Sequence, residues 1–149
     1  MIGEWMRLRE RRRLQRRIAR VLARAPRGGV PLDERALRKV SSHLDLEWHA
    51  CGLHPWDRDL SQERQAEFFA VQVLEDTVMV IKRLFDSLAE VDTIHICVLE
   101  PYQPHQLLLE GTVSRAAAQE CQACPSPAMS LKLLGIRYRL SNGRFEPLA

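Results

Sequence analysis

Residues 61–90 read SQERQAEFFAVQVLEDTVMVIKRLFDSLAE, and the fold hangs on this stretch. Apolar residues recur at Ala66, Phe69, Val73, Val80, Leu84 and Leu88. A second line runs through Phe68, Val71, Leu74, Val78, Ile81 and Phe85. Steps of three, four and seven mark an α-helix. Two such lines cover more of the circumference than a surface helix needs, so the spacing predicts one long helix with much of its surface buried. At 1.5 Å per residue it would span about 45 Å. Either Asp59 or Ser61 is placed to cap its start.

The flanking segments alternate in the manner of strands. Leu44–His49 (LDLEWH) puts Leu44, Leu46 and Trp48 on one side. Val91–Leu99 (VDTIHICVL) is rich in β-branched residues, with His95 opposite Ile94 and Ile96 in direction and Cys97 read as a buried thiol. Gln106–Ser114 returns after a turn as the second strand of a hairpin, with Gly111 as the candidate bulge. Arg115–Cys124 reads as helix then loop. Ser126 and Pro127 open a short helix as cap and first position, and Gly135 ends it. Ile136–Leu140 is a last strand, turned at Ser141-Asn142-Gly143 so that Arg144–Leu148 can pair back.

The resulting order is β-α-β-β-α-β, an α+β body over residues 43–149. It fits a ferredoxin-like split arrangement or, with the first strand peripheral, a restriction-endonuclease-like core. Residues 1–42 form a basic helical N-terminal extension. Its first part, residues 4–25, carries an apolar stripe of Leu8, Leu14, Ile18, Val21, Leu22 and Ala25. Arg9, Arg12, Arg13, Arg16, Arg17, Arg20 and Arg24 fan across the opposite face, while Arg7 and Arg11 interrupt the stripe. Pro26 and Gly28-Gly29 end this helix, and residues 31–44 (PLDERALRKVSSHL) read as a short second one.

Charge is unevenly shared. Residues 1–30 hold ten arginines against Glu4 and Glu10, a balance of +8 that leaves −5 for the rest of a chain totalling +3. Guanidinium forks match phosphate and carboxylate oxygens. The expected role is therefore a non-catalytic binding or adaptor protein whose arginine-rich helix contacts nucleic acid or an acidic partner. A solvated helix face is the plain alternative, and a membrane-surface helix a third. The apolar stripe either docks on its own body or pairs with a second copy as a homodimer. A helix-turn-helix reader fits poorly, because most arginines lie on the first helix.

The 149 residues are 46% hydrophobic and 28% charged, as in an ordinary globular domain. No apolar run reaches the length of a membrane span, and no export signal is visible, which predicts a cytoplasmic protein. Only Lys39, Lys82 and Lys132 accompany the arginines, a bacterial-like compositional bias. Four cysteines are too few for a disulfide framework.

Candidate chemistry is fragmentary. Cys51 and His54 form a C-x-x-H, and Cys121 and Cys124 a C-x-x-C; together they would make a Cys3His zinc site. Asp92 and Glu110 stand on successive strands, where a metal-dependent, nuclease-like hydrolase places its acids, but Thr112 occupies the position at which that chemistry wants a lysine. His54, Asp57 and Asp59 share a loop with Trp56, which reads as a plug for the core. Ser114, Ser126 and Ser130 lack elbow glycines, and no phosphate-cradling loop is present.

Overall fold

The computed structural model describes residues 2–23, 37–40, 42–52, 55–103, 105–121, 124 and 126–148. The long stretch is helix α2, Gln62–Ser87, and the Ser61 hydroxyl caps it by accepting from the Arg64 N–H. Before it lie α1 (Ile2–Ala23), β1 (Leu37–Val40) and β2 (His43–His49). After it come β3 (Thr93–Leu99), β4 (Leu107–Ser114), α3 (Arg115–Glu120), α4 (Pro127–Leu133), β5 (Arg137–Ser141) and β6 (Arg144–Glu146).

The strands form a mixed open sheet in sequential order β1 to β6. β2 and β3 are parallel, joined by α2 as their crossover; the other neighbouring pairs are antiparallel. The sequential order excludes the ferredoxin-like split, which needs a strand between β2 and β3. β4 follows β3 through a short hairpin and pairs on its outer side, while β1 occupies the far edge of β2.

One face of the sheet is apolar. Leu44, Leu46, Trp48, Ile94, Ile96, Val98, Leu109 and Val113 are buried there. Val73, Leu74, Val80, Ile81, Leu84 and Phe85 of α2 belong to the same cluster, as do Ile18 of α1 and Leu131 of α4, with Ala117 and Ala118 of α3 packed against it. The four helices thus share one layer. The buried Thr77 hydroxyl of α2 donates to the Val73 carbonyl, 2.7 Å away, and so stays satisfied in an apolar setting.

Several local expectations are corrected. Leu37–Val40 is not helix but strand β1, held by the otherwise free edge of β2; residues 31–36 of that predicted helix lie outside the described residues. The β-bulge falls at Val98/Leu99 opposite Leu108, not at Gly111. Gly111 instead faces the segment after α4, where an added Cβ would lie 2.7 Å from the Gly135 carbonyl oxygen and 2.9 Å from Ile136 Cα. Trp56 does not plug the core: it sits on a short 3-10 turn, Pro55–Asp57, and is 85% exposed. The final hairpin turns through Asn142 and Gly143, both at positive φ, as the two-residue turn requires.

Candidate functional site

The N-terminal helix is held at one end only. Arg17 donates to the Glu90 carboxylate at 2.6 Å and to the Ser87 carbonyl at 3.1 Å. In return, Arg83 of α2 donates to the Val21 carbonyl of α1 at 3.4 Å. Contacts 17-to-87 and 21-to-83 mean that α1 runs antiparallel to α2. Leu14, Ile18 and Val21 supply the apolar seam, with Ile18 at 0% exposure. Residues 3–13 are all exposed, so the first three turns extend past the end of α2 by about 16 Å at 1.5 Å per residue. Arg17 also belongs to this anchor. The Glu90 carboxyl is held below its ordinary range, first by a hydrogen bond to its own backbone and then by Arg17.

Of the arginines on the polar face, Arg9, Arg12, Arg13, Arg16 and Arg20 are exposed. Arg24 lies outside the described residues. At 100° per residue these five span about 100° of the helix, and Trp5 falls within the same arc. Trp5 is 68% exposed.

The second cluster of polar chemistry is on the sheet. Alternation that buries Ile94 and Ile96 sends His95 and Cys97 to the other face. Strand register then sets Asp45–His95–Thr112 and Glu47–Cys97–Glu110 in rows across β2, β3 and β4, and pairs Glu110 with Arg137 of β5. His95 Nε2 is 3.5 Å from Glu110 Oε1, and Arg137 donates to Glu110 Oε2 at 2.7 Å. One donor atom each from His95, Cys97 and Glu110 lies within 4.8 Å of the others. Burial, then the negative charges of Glu110, Glu47 and Asp45, push the Cys97 thiol up to about 11. Further along, His43 Nδ1 lies 2.6 Å from Thr93 Oγ1, and its Nε2 is 2.9 Å from Asp45 Oδ1. One expectation changes here: Cys97 is half-buried on the polar face rather than in the core.

The remaining sequence candidates are scattered. Cys121 and Cys124 line a cavity of about 250 Å³ with Phe85, Arg115, Ser130 and Leu134. Their sulfurs are 2.6 Å apart as free thiols, and Cys121 is raised first by its contact with Cys124 and then by burial. Cys51 lines a different cavity, of about 510 Å³, with Asp57, Phe68, Gln72 and Asp76, and its thiol is raised by burial and by Asp76. His54 lies outside the described residues. Among the described members of the expected Cys3His set, Cys51 thus stands apart from Cys121 and Cys124. Asp92 precedes β3 and Glu110 pairs with Cys97, five positions further on, a separation of about 17 Å along the strand. That is too far for the two acids to share one ion.

Sequence reasoning also missed Arg115. Its Nη1 donates to the Phe85 carbonyl at 2.9 Å, its Nη2 to those of Leu88 and Val91 at 2.6 Å, and its Nε to Val91 at 3.0 Å. α2 has no basic residue in its own last turn. Arg115 and Arg17, from other elements, satisfy the carbonyls that a helix C-terminus leaves open and offset its negative end.

No protein-family model, curated protein or solved structure matches the chain. Among the described residues no helix is long and apolar enough to cross a membrane.

Proposed function

We propose that the protein is a nucleic-acid-binding module whose contact surface is the exposed arginine face of α1, from its overhanging first turns to Arg20. The observation that carries this reading is the split character of that helix. Its C-terminal half is clamped to α2 by Ile18 and Arg17. Its N-terminal half stands clear, with an exposed aromatic ring in line with exposed arginines. A row of guanidinium groups supplies phosphate contacts, and an aromatic side chain within that row supplies a base-stacking platform. An acidic protein surface would use the arginines but has less need of Trp5. The reading rests on α1 alone; the separation of Asp92 and Glu110 gives no support to a nuclease.

The test is fluorescence anisotropy with labelled duplex and single-stranded DNA and RNA across a salt series. With five arginines on phosphates, log affinity should fall against log salt with a slope of about −4 to −5 on duplex DNA. Replacing Arg9, Arg12, Arg13 and Arg16 by Gln should flatten that slope by about 3.6. Arg17 is left in place because it anchors the helix. Trp5→Ala should cost single-strand binding about tenfold and duplex binding less. Unchanged affinity in the fourfold variant, absence of salt dependence, or preference for anionic vesicles over every nucleic acid would each refute the proposal.

A further inference from the structure

We propose that His95, Cys97 and Glu110 form a binding site for a zinc-class divalent metal ion on the polar face of the sheet. The three residues offer one nitrogen, one sulfur and one oxygen, all within 4.8 Å of one another. Ligand atoms around a single tetrahedral zinc lie about 3.3–3.8 Å apart, so rotamer adjustments of order 1 Å close the set. The mixed donors suit zinc and exclude magnesium or calcium, which take oxygen ligands.

The scaffold favours such a site. His95 and Cys97 are alternate residues of one strand, and Glu110 is the cross-strand partner of Cys97. All three sit on strands paired on both sides, which fixes their backbone. Arg137 already holds Glu110 Oε2, leaving Oε1 turned towards His95. An outer partner of this kind orients a metal-binding carboxylate. Asp45 and Glu47 stand beside His95 and Cys97 across the β2–β3 pair. The four helices all send their apolar residues to the other side of the sheet. A fourth coordination position would therefore point away from that helical layer. Three protein ligands with an open fourth position is the arrangement of zinc centres that bind an exchangeable molecule. A simple His95–Glu110 polar pair would give no role to the thiol that shares their face.

The experiment is titration of the metal-stripped full chain with Co²⁺ under reducing conditions, followed by displacement with Zn²⁺. One equivalent should bind, with a thiolate-to-cobalt charge-transfer band and visible bands of four-coordinate intensity. Cys97→Ser should abolish the charge-transfer band. His95→Ala and Glu110→Gln should each weaken binding at least tenfold, and Arg137→Gln, at an exposed position, by about tenfold through loss of the outer contact. The Cys121→Ser/Cys124→Ser double variant should keep the spectrum, which separates this site from the only other close thiols among the described residues. Circular dichroism checks that each variant is folded; should Cys97→Ser not fold, Glu110→Gln and Arg137→Gln decide the matter. Absence of binding, a band that survives Cys97→Ser, or a band lost with Cys121 and Cys124 would overturn the proposal.

Discussion

Replacing Arg115 by alanine should destabilise the protein more than the loss of any other single polar clamp among the described residues. Four N–H···O contacts of 2.6–3.0 Å tie its guanidinium to the carbonyls of Phe85, Leu88 and Val91. Its Cζ also lies 5.0 Å from the centroid of the Phe85 ring. A hydrogen bond to a charged group contributes about 1.5–3 kcal/mol net, but these four share one side chain and are not additive. The residue is half-buried, so the lower end applies, with about 0.5–1 kcal/mol for the cation over the ring. The expected loss for Arg115→Ala is about 2–2.5 kcal/mol. For a chain of this length that lowers the melting temperature by about 7 °C. The urea midpoint should fall by about 1 M.

Arg115→Lys makes the diagnosis specific. A lysine keeps the charge near the C-terminus of α2 but reaches only one or two of the three carbonyls. It should recover about half of the loss, whereas Arg115→Gln should recover little. Hydrogen exchange localises the effect, since amides near the C-terminus of α2 should lose protection first. A loss below about 1 kcal/mol for Arg115→Ala, or full rescue by neutral Gln, would show that these carbonyls find water at no cost and that the clamp is incidental.

Other outcomes follow from single contacts. Gly111→Ala drives a methyl into the Gly135–Ile136 backbone; it should cost about 2–3 kcal/mol in urea unfolding, as overpacking does. Ser61→Ala removes the α2 cap and should cost about 1 kcal/mol in the same assay. In metal-free protein the Cys97 thiol, held at about 11 against an ordinary 9.0, carries about 100-fold less thiolate at pH 8, so iodoacetamide should label it correspondingly slowly by mass spectrometry. The folded state then binds that proton more tightly than the unfolded chain. The Cys97 contribution to stability is complete below about pH 9 and drains as pH rises towards 11, a loss that Cys97→Ser should remove.

How far the sequence can be read depends on the range of the interaction. α2 is legible because its apolar residues repeat within the helix itself, and β2, β3 and β4 because alternation is equally local. β1 is not. Leu32, Ala36, Leu37 and Val40 have helical spacing, and nothing nearby reveals that residues 37–40 meet the edge of β2. Trp56 misleads on composition alone: a large ring suggests a core position, but its short turn leaves it outside. The cluster on the sheet is half legible. Alternation puts His95 and Cys97 on one face, but Glu110 joins them only through the β3–β4 register. That register changes at the bulge beside Leu99. Arg115 stays hidden for the same reason, since its partners lie 24 to 30 positions earlier in the chain.

The two proposed sites occupy different layers of the molecule. α1 packs on the helical layer, where Ile18 enters the shared core, and carries the positive charge of the chain. Asp45, Glu47 and Glu110 lie on the opposite face of the sheet, in the part of the chain with net charge −5. The same face carries Arg137 and, by strand register, Arg38 beside Asp45 and Arg139 beside Glu146, so its charges are mixed and the concentrated positive field lies on α1. Beyond a Debye length of about 8–10 Å at ordinary salt, the two surfaces should act independently. The Arg9, Arg12, Arg13 and Arg16 variant should leave the cobalt spectrum unchanged, and the Cys97→Ser variant should leave the salt slope of nucleic-acid binding unchanged. Zinc that altered the slope by a full unit would mean that the sheet face itself touches phosphate. In that event the polar face of the sheet would be part of the nucleic-acid interface alongside α1.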